Sequence, residues 1–403
     1  MSKPIFYAYA TRRGLDGNTK AFLTLPATPY EMLDMLDELR LGADDVIKVR
    51  IDEYYGFLSV APLLADQNDL LELNALAQKL SELDDEQATA FEGLLAIKIR
   101  AKEGPVELPD IINMAYSTQS CRMIGEALND SQLGLYCAEN GLVPDVDKLP
   151  RQVFDLLDFE RIGREYRQKA GGLFVERTAD HPGGYVERSG EMADVYKDLD
   201  LTLKMPDYTI LLQVSKGFFN DSEYDSDKIV LLKLPAAPAE LDAVLDSLDT
   251  WDWRESGWTC VDCRVLALAD AVSDADDIEF LNHLAQKLAD MAPKDLTACK
   301  ALLEATNCRN LSTAEQLIDT LDQYIFSPQY SSPTEVAKGQ LSLVLAGPEA
   351  SVLVPHLDLP GYGKDLMQTL GSTMTSYELI ERKDHQPIQA PQQDIQKGGM
   401  TLA

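Results

Sequence analysis

Apolar residues at Met32, Met35, Leu36 and Leu39 recur at helical spacing, so "YEMLDMLDELR" predicts an amphipathic helix with one inward face. Its start is marked. Thr28 stands as N-cap, Pro29 falls in the first turn and Glu31 follows Thr28 at the spacing of a capping box. Glu31, Asp34 and Glu38 are expected to form an acidic stripe on another face of this helix. Farther on, Leu73, Leu76, Ala77 and Leu80 mark a second helix, and "DEQATAFEGLLAIK" and "ELPDIINMAYS" complete a small antiparallel bundle. Upstream, "IFYAYATRR" and "KAFLTLP" are β-prone runs around the turn-rich "GLDGN", and "VIKVRIDEYYGFL" reads as a further strand.

The pattern is then written again. "LNALAQKL" at Leu73–Leu80 returns as "LNHLAQKL" at Leu281–Leu288, and "LPATPYE" at Leu25–Glu31 as "LPAAPAE" at Leu234–Glu240. Gly163 and Gly171 return as Gly363 and Gly371. Landmarks in one order at nearly constant offset predict two tandem copies, about residues 1–190 and 200–385. The second copy of the first helix has Ala237 at the cap, Leu241, Val244, Leu245 and Leu248 inward, and Asp242, Asp246 and Asp249 outward.

The expected fold class is α+β, elongated and multidomain, each copy running small α+β domain, helical bundle, small α+β domain. The expected boundaries are 1–62, 63–125 and 126–190 for the first copy and 200–270, 271–335 and 336–385 for the second. The last of these reads as shortened, without an equivalent of "LPRQVFDLLDFERIG". Residues 386–403, polar and Pro/Gln-rich, are expected to be a disordered tail.

Charge changes the picture more than composition does. The 403 residues hold 67 Asp and Glu against 36 Lys and Arg, a formal −31. Residues 1–200 carry −15 and the remainder −16, so the excess is no acidic tail. Such a charge repels itself, favours a partner of opposite sign and argues against direct binding to nucleic acid or an anionic membrane. Six cysteines, no long apolar run and no secretory leader predict a cytoplasmic protein without a membrane span.

Candidate chemistry is sparse. Cys260 and Cys263 have CxxC spacing but no second pair, and Trp251, Trp253 and Trp258 nearby suggest a packed strand region. "NDSEYDSDK" starts like a calcium loop, yet Ser226 stands where the loop needs Gly and Leu232 where it needs Glu, so it reads as a hairpin turn. The four histidines form no zinc signature, and no phosphate loop or nucleophile elbow occurs. The expectation is a binding protein, not an enzyme, with no cofactor and no metal.

Duplex DNA carries about one negative charge per 1.7 Å of axis, so −31 corresponds to about 53 Å of duplex. A rigid array of carboxylates can draw on the counterion release that a basic groove gains from phosphates.

With these features the chain resembles the ArdA antirestriction proteins of plasmids and conjugative transposons. The resemblance rests on "KAFLTLP", "YEMLDMLDELRLG", "VIKVRIDEYYGF", "DLLELNALAQKLSELDDEQ", "YCAENG" and "LPRQVFDLLDFERIGREYRQKAGGLFV" in that order. It covers nearly all of the first copy and, more weakly, the second. It implies three small domains per unit, a shape imitating bent DNA, dimerisation through the third domain, and occupation of the DNA groove of type I restriction-modification enzymes. It also implies phosphate-mimic roles for Glu31, Asp34, Asp37, Glu38, Asp52, Glu53, Asp69, Glu72, Asp84, Asp85 and Glu86. In the second copy Asp242, Asp246, Asp249, Asp276 and Asp277 are the candidates.

Family members ordinarily carry one unit, so two units predict a pseudo-dimer fused in one chain, with further self-association open. The locally basic Arg161, Arg164, Arg167 and Lys169 are expected to form salt bridges between the copies. The other reading is a non-inhibitory acidic scaffold that binds basic protein partners in a mobile-element or conjugation context.

Overall fold

The computed structural model describes residues 3–13, 18–41, 47–102, 104–179, 181–217, 228–273, 276–345 and 353–389. The acidic run at 221–227 and the final residues 390–403 lie outside the described residues. The fold is α+β, with helices beside small antiparallel sheets. It divides into two compact units, residues 1–10, 22–27 and 46–203 in one, and 11–21, 28–45 and 204–403 in the other. Among the described residues no helix is long and apolar enough to cross a membrane.

The chain begins with β1 (Phe6–Arg13), β2 (Asn18–Leu25) and α1 (Pro29–Leu39), then β3 (Lys48–Tyr54) and β4 (Asn68–Asp69). The strands order as β2-β1-β3-β4. Helices α2 (Leu70–Ser81), α3 (Asp85–Ala101) and α4 (Leu108–Tyr116) pack together next. β5 (Cys121–Ile124), α5 (Asp130–Glu139), α6 (Arg151–Phe154), α7 (Phe159–Ala170), β6 (Leu173–Val175) and β7 (Gly184–Arg188) follow, with strand order β5-β7-β6.

The later part runs through β8 (Ile210–Lys216), β9 (Ile229–Leu234), α8 (Pro238–Ser247) and β10 (Ser256–Cys263), with strand order β9-β8-β10. α9 (Ile278–Ala289), α10 (Pro293–Thr306) and α11 (Leu311–Ile318) come next. β11 (Tyr324–Ser327), α12 (Pro333–Val344), α13 (Leu359–Leu370), β12 (Thr373–Met374) and β13 (Leu379–Arg382) close the chain, with strand order β11-β13-β12.

Details recur with the order. In β3 the register against β1 jumps from Glu53 opposite Tyr7 to Ile51 opposite Ala8, leaving Asp52 as the extra residue of a bulge. In β10 it jumps from Asp262 opposite Leu211 to Cys260 opposite Leu212, leaving Val261 extra. Asn74, from the repeated "LNALAQKL", accepts from Ala27 N at 2.7 Å and donates to Ala27 O at 3.1 Å. Asn282 does the same with Ala236, at 2.7 and 3.0 Å. Both asparagines thus satisfy a backbone that has just left a sheet, which an apolar residue could not do.

The glycines of the third landmark set helix separation. A Cβ on Gly163 would lie 1.9 Å from Asp130 O, and one on Gly134 1.8 Å from Phe159 O, so α5 and α7 meet backbone to backbone. Gly363 packs likewise on Pro333 O of α12, again with 1.8 Å left for a Cβ. The segment expected to lack an equivalent of "LPRQVFDLLDFERIG" does have one. Asp158 and Asp358 cap α7 and α13 with φ/ψ of −81/82° and −76/80°, and each accepts from the amide three residues on. The late sheet and helix pair begin at Tyr324, before the expected boundary at 336, and are complete. Length alone concealed this, because an N-cap needs one side-chain oxygen, not a conserved run.

Three further expectations are corrected. Arg161 and Arg164 pair with their i,i+4 neighbours Glu165 and Glu160 on α7, and Arg167 pairs with Asp130 of the adjacent α5, so all three are taken up locally. Ile388, inside the expected tail, packs against the core of the second unit. Trp253 and Trp258 pack edge to face at 6.0 Å, whereas Trp251 is 88 % exposed.

Candidate partner-binding carboxylates

The residues of α1 do not present a solvated acidic stripe. The capping box forms as expected, and its Glu31 carboxylate accepts from Thr28 N at 2.6 Å. Asp34 is 6 % exposed, and Lys300 of α10, itself 4 % exposed, lies 2.6 Å from both Asp34 and Asp37. The Tyr377 hydroxyl also donates to Asp34, at 3.0 Å. Burial works against the Lys300 ammonium, but the two carboxylates outweigh it and hold its pKa above the ordinary value. Glu38 sits beside this cluster. Burial, then Asp34 and Glu304, push its carboxyl up to about 7 against the opposing pull of Lys300.

This helix is gripped at both ends as well. Asp262 of β10, 4 % exposed, accepts from Thr28 Oγ1 at 2.7 Å, Tyr208 OH at 2.8 Å and Tyr30 N at 3.4 Å. A carboxylate among the first amides of a helix meets both the unpaired donors and the positive end of the dipole. Tyr30 OH donates to the Tyr208 carbonyl, and Arg40 donates to the carbonyls of Pro328 and Tyr330. Residues 28–41 are therefore built into the second unit, although the expected boundaries put them in the first domain of the first copy. The signal for this was a lysine at a core position, "TACKALL", with Asp34 and Asp37 three residues apart on α1 to meet it.

Other predicted carboxylates serve local structure. Asp69 caps α2 and lies 3.4 Å from Lys48, and Glu72 accepts from Tyr196 OH at 2.6 Å. Asp84 caps α3 through Gln87 N at 2.8 Å, and Asp277 caps α9 through Glu279 N at 2.8 Å. Asp276 accepts from Ser273 N at 2.9 Å. Asp249 is exposed, and its hydrogen bond with Lys228 holds its carboxyl below the usual range.

Asp52, Glu53, Asp85, Glu86, Asp242 and Asp246 remain, all exposed. Asp242 and Asp246 stand one turn apart on α8, about 6 Å along the axis. Their mutual repulsion costs the helix a few tenths of a kcal/mol, about 0.2–0.5, so nothing in the stability of α8 calls for them. The contrast with α1 is direct: there Asp34 is buried and Asp37 is half-buried on the same lysine, whereas the outer carboxylates of α8 are exposed.

The thiols offer little chemistry. Cys260 and Cys263 lie opposite Leu212 and Ile210, on the inward face of β10, and a hydrogen bond to Cys263, then burial, raise the Cys260 thiol pKa. Among the described residues no group of three or more His, Cys, Asp or Glu is placed to hold a metal ion. No protein-family model matches the chain, and no curated protein matches it.

Proposed function

We propose that this protein is an acidic decoy that acts by binding, occupying the DNA groove of a type I restriction-modification enzyme in the manner its resemblance to the ArdA family implies. The observation that carries the reading is the exposed pair Asp242 and Asp246 on α8, in a chain of formal charge −31. Phosphates along one DNA strand advance about 3.4 Å each, so every second one lies about 6.8 Å on, close to one helical turn. Asp52, Glu53, Asp85 and Glu86 supply further outward charge in the first unit. Asp34 and Asp37 contribute little to the array, since they share the ammonium of the buried Lys300, and Glu38, its pKa raised to about 7 by burial, is partly protonated near neutral pH.

The test is displacement of labelled duplex DNA from a type I enzyme at several salt concentrations. The intact protein is expected to displace DNA near stoichiometry, less well as salt rises, and Asp242→Asn with Asp246→Asn is expected to weaken it with a shallower salt dependence. Absence of displacement at every salt, from folded protein that still retains a basic protein ligand, would replace the decoy by the scaffold reading.

A further inference from the structure

The outward face of the first sheet carries aromatic rings where water would be expected. Phe6, Ala8 and Ala10 point into the core, so Tyr7 and Tyr9 face the other way. Phe22 on the edge strand β2 stacks on Tyr7 with centroids 5.5 Å apart and planes 11° from parallel. It also meets Tyr9 at 5.7 Å and 44°. Phe22 is 45 % exposed and Tyr55, just beyond β3, is 44 % exposed. Glu53 stands directly opposite Tyr7 in the register, and Asp52 is the bulged residue beside it.

The matched face of the second unit lacks this equipment. The bulge fixes the correspondence: Leu211 lies where Tyr7 lies, and Asp262 where Glu53 lies. Gln213 and Leu231 take the places of Tyr9 and Phe22, and Asp262 is buried by its bonds to Thr28 and Tyr208. Pairing of these strands therefore does not require the rings, because three strands in the matching order, with the matching bulge, pair without them. Aromatic rings grouped on one exposed face are the residue type that protein interfaces enrich.

Charge decides what would bind. Nucleic-acid bases stack on such rings, but two exposed carboxylates beside them, in a chain of −31, repel phosphate. A guanidinium satisfies both features: its plane lies over a ring face, it is weakly hydrated, and its donors fork onto carboxylate oxygens. We infer that the face formed by Tyr7, Tyr9, Phe22 and Tyr55 with Asp52 and Glu53 binds arginine side chains of a basic protein partner. The inference rests on the decoy reading for its biological setting and names the contact chemistry of one part of that surface.

The experiment compares nona-arginine with nona-lysine, each labelled, binding to the full chain by anisotropy. Equal charge removes the general attraction of a −31 protein from the comparison. The expected result is an arginine preference of about two- to fivefold, lost in Phe22→Leu, which keeps an apolar edge residue without a ring. Asp52→Asn with Glu53→Gln should weaken both peptides. Phe22→Tyr should restore the preference, and an unchanged melting profile shows that each variant is folded. Equal binding of the two peptides to the wild type, or a preference that survives Phe22→Leu, overturns the inference, as does tighter binding of oligo-dT than of nona-arginine. Because no restriction enzyme enters this assay, arginine preference without DNA displacement would sink the decoy reading alone. DNA displacement without arginine preference would sink this inference alone.

Discussion

Glu38→Gln should stabilise the second unit, and only above a definite pH. Burial and the neighbouring Asp34 and Glu304 raise the Glu38 carboxyl from 4.5 to about 7 in the folded protein. Both states are protonated below pH 4.5, so wild type and variant should then be equally stable. Between pH 4.5 and about 7 the unfolded chain ionises while the folded one does not, and wild-type stability is lost across that window. At 1.36 kcal/mol per unit the full loss would be about 3.4 kcal/mol. Glu38 is only partly buried, and solvent screening reduces this to roughly 1–2 kcal/mol. Gln keeps the shape and removes the charge. Urea unfolding followed by tryptophan emission reads the correct unit, because Trp251, Trp253 and Trp258 all lie in it. The variant should match wild type at pH 4.5 and exceed it by roughly 1–2 kcal/mol at pH 8. A gain of the same size at both pH values, or a loss at pH 8, would refute the argument.

Lys300→Met should destabilise the second unit by about 3–5 kcal/mol, since it leaves the buried Asp34 and the half-buried Asp37 without their cation, and adding Asp34→Leu should recover part of the loss in urea melts. Gly163→Ala has no room for a methyl 1.9 Å from Asp130 O, so calorimetry should show a loss of about 1–3 kcal/mol or more. Gly141→Ala, where nothing lies within 4 Å, has only its positive φ of 68° to oppose it and should cost less. Asp242→Asn with Asp246→Asn should leave stability unchanged or slightly raised, within about 0.5 kcal/mol, while weakening competition with DNA.

Much of the architecture was legible in the chain. The capping box at Thr28 and Glu31, the core faces of the "LNALAQKL" pair and the paired glycines each depend on residues a few positions apart, and local geometry follows from local sequence. The missing equivalent of the seventh helix's cap was not legible, because Asp358 resembles Asp158 in backbone angles and bonding but not in its neighbours. The capping, hydrogen-bond and ion-pair partners of many of the candidate carboxylates were hidden for a related reason. A charged residue between apolar ones reads as solvent-facing, and capping, hydroxyl and backbone partners that claim Glu72, Asp84 or Asp276 lie beyond the periodic pattern.

The sequence by itself determined where helices and strands form, that several short stretches recur in the same order, and that the chain is strongly acidic. Only the tertiary structure decided which acids remain acidic toward a partner. Amphipathic spacing identifies the first face a helix buries. It is silent about a second face, whose burial in α1 depends on Lys300, Tyr377 and Asp262, more than 200 residues away in the chain. A carboxylate is stable in a low-dielectric interior only beside a cation or several donors. Residues that supply them to Asp34 and Asp37 have no counterpart at Asp242 and Asp246, which are left to the solvent and to whatever basic surface arrives.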